Sequence, residues 1–463
     1  HGTETDVEFS VGDGLSDRCG VFCVSRRRMN YSGRLRERIQ RPSPAPPRQS
    51  KIVEMFMQRR QFLKSVTCGT LIVSECRSET AASCPGPSCS DLPSHPPTLP
   101  LSDRTSHRKF PGVAHISGAY SLLKENAPHY LREGAEQILE LGCETIKLSL
   151  LRPASSYPFH AQWDPSCSGS SLCTVQSPYF REVLALPFRT IILWTYSDIP
   201  DEHYWNSGPI TANQAIREET QFFRIASYLY ETYRGTGKEF ILTHWEGDWA
   251  VRGHTDAQRD PTPESLEGMR QWLTARQRGV DRARREYESS RDHSSLCRVY
   301  HAAEVNLVGR CLNRHGNRPG VATQVITSRE APLDLVSYSA YDTQQNSGDF
   351  RASLELLADH LPIKPEIDGH CGGRRGRVFV GEYGYPENAP DAEQILPTVV
   401  ENVQRIAAES GCLWTVFWQL YCNEAIRRPV EKNEDGRGFW LIRPDGTKTP
   451  LWKRFHEQLT RND

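Results

Sequence analysis

The sequence predicts an α/β fold and, within that class, a (β/α)8 TIM barrel behind an N-terminal extension expected to stay disordered. Three observations carry this. From Pro111 to the C-terminus, short apolar runs alternate with amphipathic stretches, the pattern of βα units on a parallel sheet. Eight such runs can be counted, the number that closes a barrel. No glycine-rich phosphate loop opens the first helix and no G-x-x-x-x-G-K-[ST] occurs, which disfavours the competing doubly wound open sheet.

The expected strands are, in order, 113–119, 145–150, 190–194, 240–244, 298–303, 333–338, 378–382 and 413–418. Each is a short apolar run bounded by polar or turn-forming residues. Helical patterns lie between them. The segment 128–141 has Leu131, Ala135, Ile138, Leu139 and Leu141 on one side, and 213–234 carries Phe222, Ile225, Ala226 and Leu229 in a stripe. The segment 264–289 is so rich in Arg and Glu that most of it is expected to be a solvated face. Helices are also expected over 350–361 and 392–410. Near the C-terminus an Asp445-Gly446 turn and Pro450 precede an aromatic segment, which reads as a last helix closing the barrel.

Residues 1–110 lack a sustained hydrophobic period and hold Ser/Pro-rich runs at 41–47 and 78–100. Such segments bury too little apolar surface to offset chain entropy. Within them, Arg59-Arg60-Gln61-Phe62-Leu63-Lys64 precedes a modest apolar patch, which resembles a twin-arginine export signal. The expected organisation is therefore an upstream extension (1–56), a signal segment (57–76), a Ser/Pro-rich linker (77–110) and the barrel (111–463). Met55 or Met57 would then be the start and the product would be exported.

Composition excludes several classes. Lys and Arg total 56 against 57 Asp and Glu, a net charge of −1, so no broad basic footprint for nucleic acid exists. No apolar stretch reaches the roughly 18 residues of a spanning helix. Of 14 cysteines, six fall in 1–110 and eight beyond. None forms a Cys-x-x-Cys pair of zinc spacing. Cys167 and Cys173 flank a short polar stretch and suit a local disulfide in an exported protein. The oligomeric state is not legible.

In a barrel of this kind the chemistry sits at the strand C-termini. The fourth strand runs into Thr243-His244-Trp245-Glu246-Gly247-Asp248-Trp249, and the seventh ends Val380-Gly381-Glu382-Tyr383. Period-two alternation places Leu242, His244 and Glu246 on one inward face, and Val378, Val380 and Glu382 on another. Two carboxylates then converge on one pocket. Paired carboxylates suit glycosidic cleavage: one gives a proton to the leaving oxygen and the other attacks or stabilises the anomeric carbon. An isolated glutamate at a strand end would more simply be a salt-bridge partner.

These residues, with Trp414-Thr415-Val416-Phe417-Trp418-Gln419 on strand eight, resemble the clan A glycoside hydrolases, (β/α)8 enzymes of retaining chemistry. The resemblance covers 111–463 in layout, with close motif identity only around 380–383 and strand eight. It implies Glu246 as acid/base and Glu382 as nucleophile, with carboxyls about 5–5.5 Å apart. It also implies Trp418 as the floor of the sugar site, and Tyr341, with Tyr338 next, as hydrogen-bond partner of the nucleophile. One departure stands out. Where the clan places Asn before the acid/base, this chain has Trp245, so His244 or Asn306 would share the sugar 2-hydroxyl contact. On strand five His301, Glu304 and Asn306 are polar groups able to bind hydroxyls. Trp194, Trp245 and Trp249 suit stacking on a sugar face or ordinary packing. No cofactor or metal is implied, and the expected partner is a carbohydrate. Two other classes remain: a metal-dependent barrel hydrolase drawing on His244, Glu246, Asp248 and His254, and a carbohydrate-binding pseudoenzyme.

Overall fold

The computed structural model describes residues 111–461 apart from 123–128, 151–155, 158, 160–162, 164–166, 168, 202 and 290–296. The export segment, the linker and the upstream extension lie outside the described residues. Eight strands pair in sequence order and the last returns to the first: β1 (Gly112–Ala114), β2 (Thr145–Ser149), β3 (Thr190–Trp194), β4 (Glu239–Thr243), β5 (Arg298–Val305), β6 (Leu335–Ser339), β7 (Val378–Tyr383) and β8 (Thr415–Phe417). Every pairing is parallel. This is the expected (β/α)8 barrel, and each expected strand overlaps an observed one.

The helices follow the apolar stripes. α1 (Tyr130–Glu140) buries Leu131, Ala135 and Ile138. α2 (Pro178–Ala185) has Pro178 in its first turn, where the missing N–H costs nothing. α3 (Ala212–Thr232) starts at a capping box between Thr211 and Gln214 and buries Phe222, Ile225, Ala226 and Leu229. α4 (Gly247–Arg252) is a short turn directly after β4. α5 (Pro263–Ser289), α6 (Ser347–His360), α7 (Ala392–Glu409) and α8 (Pro450–Thr460) complete those used below. α8 packs Phe455 against Phe417 of β8 at 5.7 Å between ring centroids.

α5 departs from expectation. It is not mainly a solvated face: its buried residues run from Ser265 to Tyr287 and include Arg276, Gln277 and Arg284. The sequence shows charges but not their partners. Arg276 pairs with the buried Glu218 of α3 at 2.8 Å and lies over the Trp272 ring at 3.5 Å. Arg284 pairs with Asp334, which is fully buried just before β6. Charges satisfied in this way can sit inside.

Asp334 yields a stability prediction. Burial pushes its carboxyl up, but Arg284 and Lys364 outweigh burial and hold it well below the usual carboxylate range. A group depressed in the folded state adds stability above its unfolded pKa of about 4 and loses it as pH falls. Asp334→Asn removes the fully buried anion shared by Arg284 and Lys364, leaving them only Asp281, and should cost about 3 kcal/mol at pH 7. Urea unfolding checks this, and the gap to wild type should narrow below about pH 4.

Cys167 and Cys173 are joined by a disulfide, as the spacing suggested, while Cys143, Cys297, Cys311, Cys412 and Cys422 are buried free thiols. Among the described residues no helix is long and apolar enough to cross a membrane.

Candidate active site

The register fixes which side chains enter the barrel. Lys147 of β2 is partnered with Ile192 of β3, and Ile192 with Ile241 of β4. Trp194 is partnered with Thr243. Residues paired in this way share a face. Lys147 reaches strands on the far side of the barrel: its Nζ donates to Glu304 Oε2 on β5 at 2.7 Å, to the Gly381 carbonyl on β7 at 3.1 Å and to Glu382 Oε1 at 3.1 Å. The inward set on β2 to β5 is therefore Lys147, Ile192 and Trp194, Ile241 and Thr243, and Glu304.

This corrects the alternation argument on both key strands. Leu242 is partnered with His301, and His301 faces the helices, with Nδ1 3.2 Å from Gln277 Oε1 of α5 and its ring 5.2 Å from Phe222 of α3. Leu242 is thus on the outer face, and His301 is not among the groups at the barrel mouth. Glu246 enters the site for another reason. β4 ends at Thr243, and the backbone turns at Glu246, which has φ +20. This sparsely populated region costs a non-glycine residue about 1–3 kcal/mol and persists where the surroundings fix it. Here the Glu246 N–H donates to Glu304 Oε1 at 3.2 Å, and Ser339 Oγ donates to Glu246 Oε1 at 2.6 Å. The Glu246 carbonyl accepts from the N–H groups of Trp249 and Ala250 at the start of α4.

On β7, Val380 is partnered with Tyr338. Tyr338 points outward, its ring stacked on Phe350 of α6 and its hydroxyl bonded to Asp342 and Thr343. Val380 therefore faces out too, and so does Val378 two residues earlier. Alternation alone would send Glu382 the same way. A register shift between β6 and β7 intervenes, so that Ser339 is partnered with Glu382. The inserted residue is Gly381. A Cβ there would lie 1.7 Å from Ser337 Oγ and 3.1 Å from Glu304 Oε2, so Gly381 faces inward as well and only glycine fits. A bulge of this kind re-aims a side chain at a barrel rim.

Glu246, Glu304 and Glu382 are consequently joined in one buried network and all are fully closed from solvent. Glu304 Oε2 accepts from Lys147 and from Ser337 Oγ at 2.9 Å, while its Oε1 accepts from the Glu246 backbone. Burial raises the Glu304 pKa, Lys147 opposes that shift and Glu382 adds to it. Burial disfavours the Lys147 ammonium, yet Glu304 and Glu382 more than compensate and raise its pKa. The Tyr341 hydroxyl donates to Glu382 Oε2 at 3.4 Å, so of the two tyrosines it is Tyr341 that meets this carboxylate.

The other candidates divide. Trp194 and Trp418 face each other across the barrel top with ring centroids 5.6 Å apart, and Lys147 Nζ lies 4.9 Å from the Trp194 ring. His244 does not point into the network: Nδ1–H donates to the Trp245 carbonyl at 3.1 Å and Nε2 accepts from the Glu304 N–H at 3.2 Å. Burial pulls its pKa down to about 3, so this ring is neutral and joins β4 to β5. Trp245 is half-buried against the core. Asn306 and Asp248 clamp each other: Asp248 N donates to Asn306 Oδ1 at 2.9 Å and Asn306 N to Asp248 Oδ2 at 3.1 Å. Asp248 also receives Val321 N and Arg252, which fixes α4 behind Glu246. Trp249 is buried in α4.

Sequence reasoning missed Lys147, Ser337 and Ser339. The signal was present in Thr145-Ile146-Lys147-Leu148-Ser149, where a lysine interrupts an apolar strand. An inward lysine is expected only with buried anions to meet it, and those lie over 150 residues away. Among the described residues no three His, Cys, Asp or Glu side chains are grouped to hold a metal.

No family model matches the chain, and no curated protein sequence is similar to it. Solved structures are similar at low identity. β-Glucuronidase 2 of Bacteroides uniformis, covalently bound to a cyclophellitol-6-carboxylate aziridine, is 12% identical over 80% of this chain and 36% of its own, with a TM-score of 0.43. An exo-β-1,4-mannosidase from Opitutaceae bacterium strain TAV5 is 14% identical over 75% and 59%, with a TM-score of 0.45. A broad-specificity endoglucanase from Clostridium acetobutylicum is 12% identical over 76% and 96%, with a TM-score of 0.42. The chain thus spans 36% of the length of the first and 59% of the second. The fold itself is given by the closed strand order of this chain.

Proposed function

We propose that this chain is a retaining glycoside hydrolase of the clan A type, with Glu246 as acid/base and Glu382 as nucleophile. One observation carries the reading: glutamates from β7 and from just beyond β4 enter the same hydrogen-bonded network at the C-terminal end of the barrel. The target is an O-glycosidic bond of an oligo- or polysaccharide. Trp194 and Trp418 offer aromatic faces beside the carboxylates.

The chemistry is a double displacement. A Glu382 oxygen attacks the anomeric carbon while the bond to the leaving oxygen breaks, and that oxygen takes the proton from Glu246. A glycosyl ester on Glu382 results. Glu246, now a carboxylate, takes a proton from water as the water oxygen attacks the same carbon, and Glu382 leaves as a carboxylate. Ser339 donates to Glu246 Oε1, which orients this carboxyl. Both carboxylates are closed to solvent. No cofactor enters these steps. Export through the segment 57–76 belongs to the same proposal.

The test is Glu246→Ala on aryl glycosides of graded leaving-group acidity. Loss of a general acid costs about 10²–10⁴-fold, and the loss should be largest for poor leaving groups. Added azide should restore turnover and give a glycosyl azide of retained configuration. Equal loss for every leaving group, without azide rescue, removes Glu246 from the role. Turnover abolished by a chelator would favour a metal-dependent hydrolase. Sugar binding without turnover would favour a pseudoenzyme.

A further inference from the structure

Lys147 is the cation in this network, and it comes from β2, a strand with no part in the chemistry above. It is fully buried, and three acceptors surround its ammonium: Glu304 Oε2, Glu382 Oε1 and the Gly381 carbonyl. Its three N–H donors match those three acceptors, so the ammonium has a defined place. Glu304 is equally committed. One oxygen takes Lys147 and Ser337, and the other takes the backbone N–H of Glu246, the residue held at positive φ. A continuous path therefore runs from the backbone of Glu246 through Glu304 and Lys147 to the carboxylate of Glu382.

We propose that Lys147 and Glu304 act as a positioning pair for the two reacting carboxylates, Lys147 orienting Glu382, and Glu304 anchoring both Lys147 and the turn at Glu246. This rests on the function proposed above. The pair has a consequence through the cycle. While Glu382 is free, the ammonium is shared between two anions. Once Glu382 carries the sugar as a neutral ester, the ammonium pairs with Glu304 alone. A buried cation would otherwise be left without an anion at that stage, at a cost of several kcal/mol. Glu304 removes that cost without touching the sugar.

The groups facing this pair come from every strand end around it: Glu382 from β7, Glu246 after β4, the neutral His244 beside it, the Trp194 ring from β3 and Tyr341 after β6. Lys147→Met takes from Glu382 a donor at 3.1 Å, and Glu304→Gln takes away the anion that holds that donor. A residue that merely supports the fold would not slow attack by Glu382 while leaving sugar binding unchanged.

The experiment measures kcat and KM on an activated aryl glycoside, and the rate at which an activated 2-fluoroglycoside labels Glu382, for the full chain and for Lys147→Met, Lys147→Arg, Glu304→Gln and the double variant. Circular dichroism and melting temperature confirm folding. Lys147→Met should lose about 10²-fold in kcat and in the labelling rate with KM little changed, and Lys147→Arg should recover part of both. Glu304→Gln should lower the same two rates, and the double variant should lose no more than Lys147→Met, because both residues act on one carboxylate. If Lys147→Met does not fold, Lys147→Arg and Glu304→Gln report the same split. Rates within about threefold of wild type, or losses confined to KM, overturn the positioning pair while leaving the hydrolase reading intact. A folded wild-type chain that hydrolyses no glycoside, and whose Glu382 takes no label from an activated 2-fluoroglycoside, overturns both.

Discussion

Glu382→Gly should abolish hydrolysis, by roughly 10⁵-fold in kcat, the scale of losing a covalent nucleophile. It should also regain a specific reaction with small anions. Without the carboxylate no glycosyl ester forms, so every step that depends on the ester is lost together. The geometry makes the loss specific. Glu382 sits between the Lys147 ammonium and the Tyr341 hydroxyl, and glycine leaves a vacancy bordered by a cation. Azide or formate should enter it and attack the anomeric carbon from the nucleophile's side. The product azide should have the configuration opposite to the substrate, whereas Glu246→Ala should give the retained one. NMR of the first product reads the difference. The same anomer from both variants would mean that the two glutamates do not flank one sugar carbon.

Much of the architecture was legible because it rests on local pattern. β3 is an uninterrupted apolar run between turn signals, and its observed limits coincide with the expected ones. α3 follows its stripe of Phe222, Ile225, Ala226 and Leu229. The positions of Glu246 and Glu382 at strand ends were legible for the same reason. The route by which each enters the network was not. Period-two alternation assumes a regular strand, and both strands break that rule at the residue that matters: β4 by ending early and turning at positive φ, β7 by a register shift at Gly381. Had both strands stayed regular, Glu382 would face the helices with Val380. The Lys147 contacts were illegible for another reason. Glu304 and Glu382 lie 157 and 235 residues away in sequence, and only barrel closure brings them within reach. α5 shows the same limit, since its arginines look solvated until Glu218 and Asp334 are placed beside them.

Gly381→Ala is the second large effect, because it tests the bulge itself. The new methyl would sit 1.7 Å from Ser337 Oγ and 3.1 Å from both Ser337 Cβ and Glu304 Oε2. None of these is the loose end of a flexible chain. Ser337 is buried on β6 and its hydroxyl is bonded to Glu304. The methyl must displace Ser337, or β7 must move away and carry Glu382 with it. Overpacking of this kind costs about 1–3 kcal/mol. A shift of about 1 Å at the nucleophile costs about 10²-fold in turnover. Stability and kcat should therefore fall together, by about 2 kcal/mol in urea unfolding and about 10²-fold in rate. Ser337→Gly added to Gly381→Ala removes both colliding atoms of residue 337 and should recover most of the stability. Activity should recover less, because the double variant still lacks the hydroxyl donated to Glu304. A single Gly381→Ala variant with wild-type stability and rate would mean that β7 runs without the bulge, and Glu382 would then face the helix layer rather than the barrel interior.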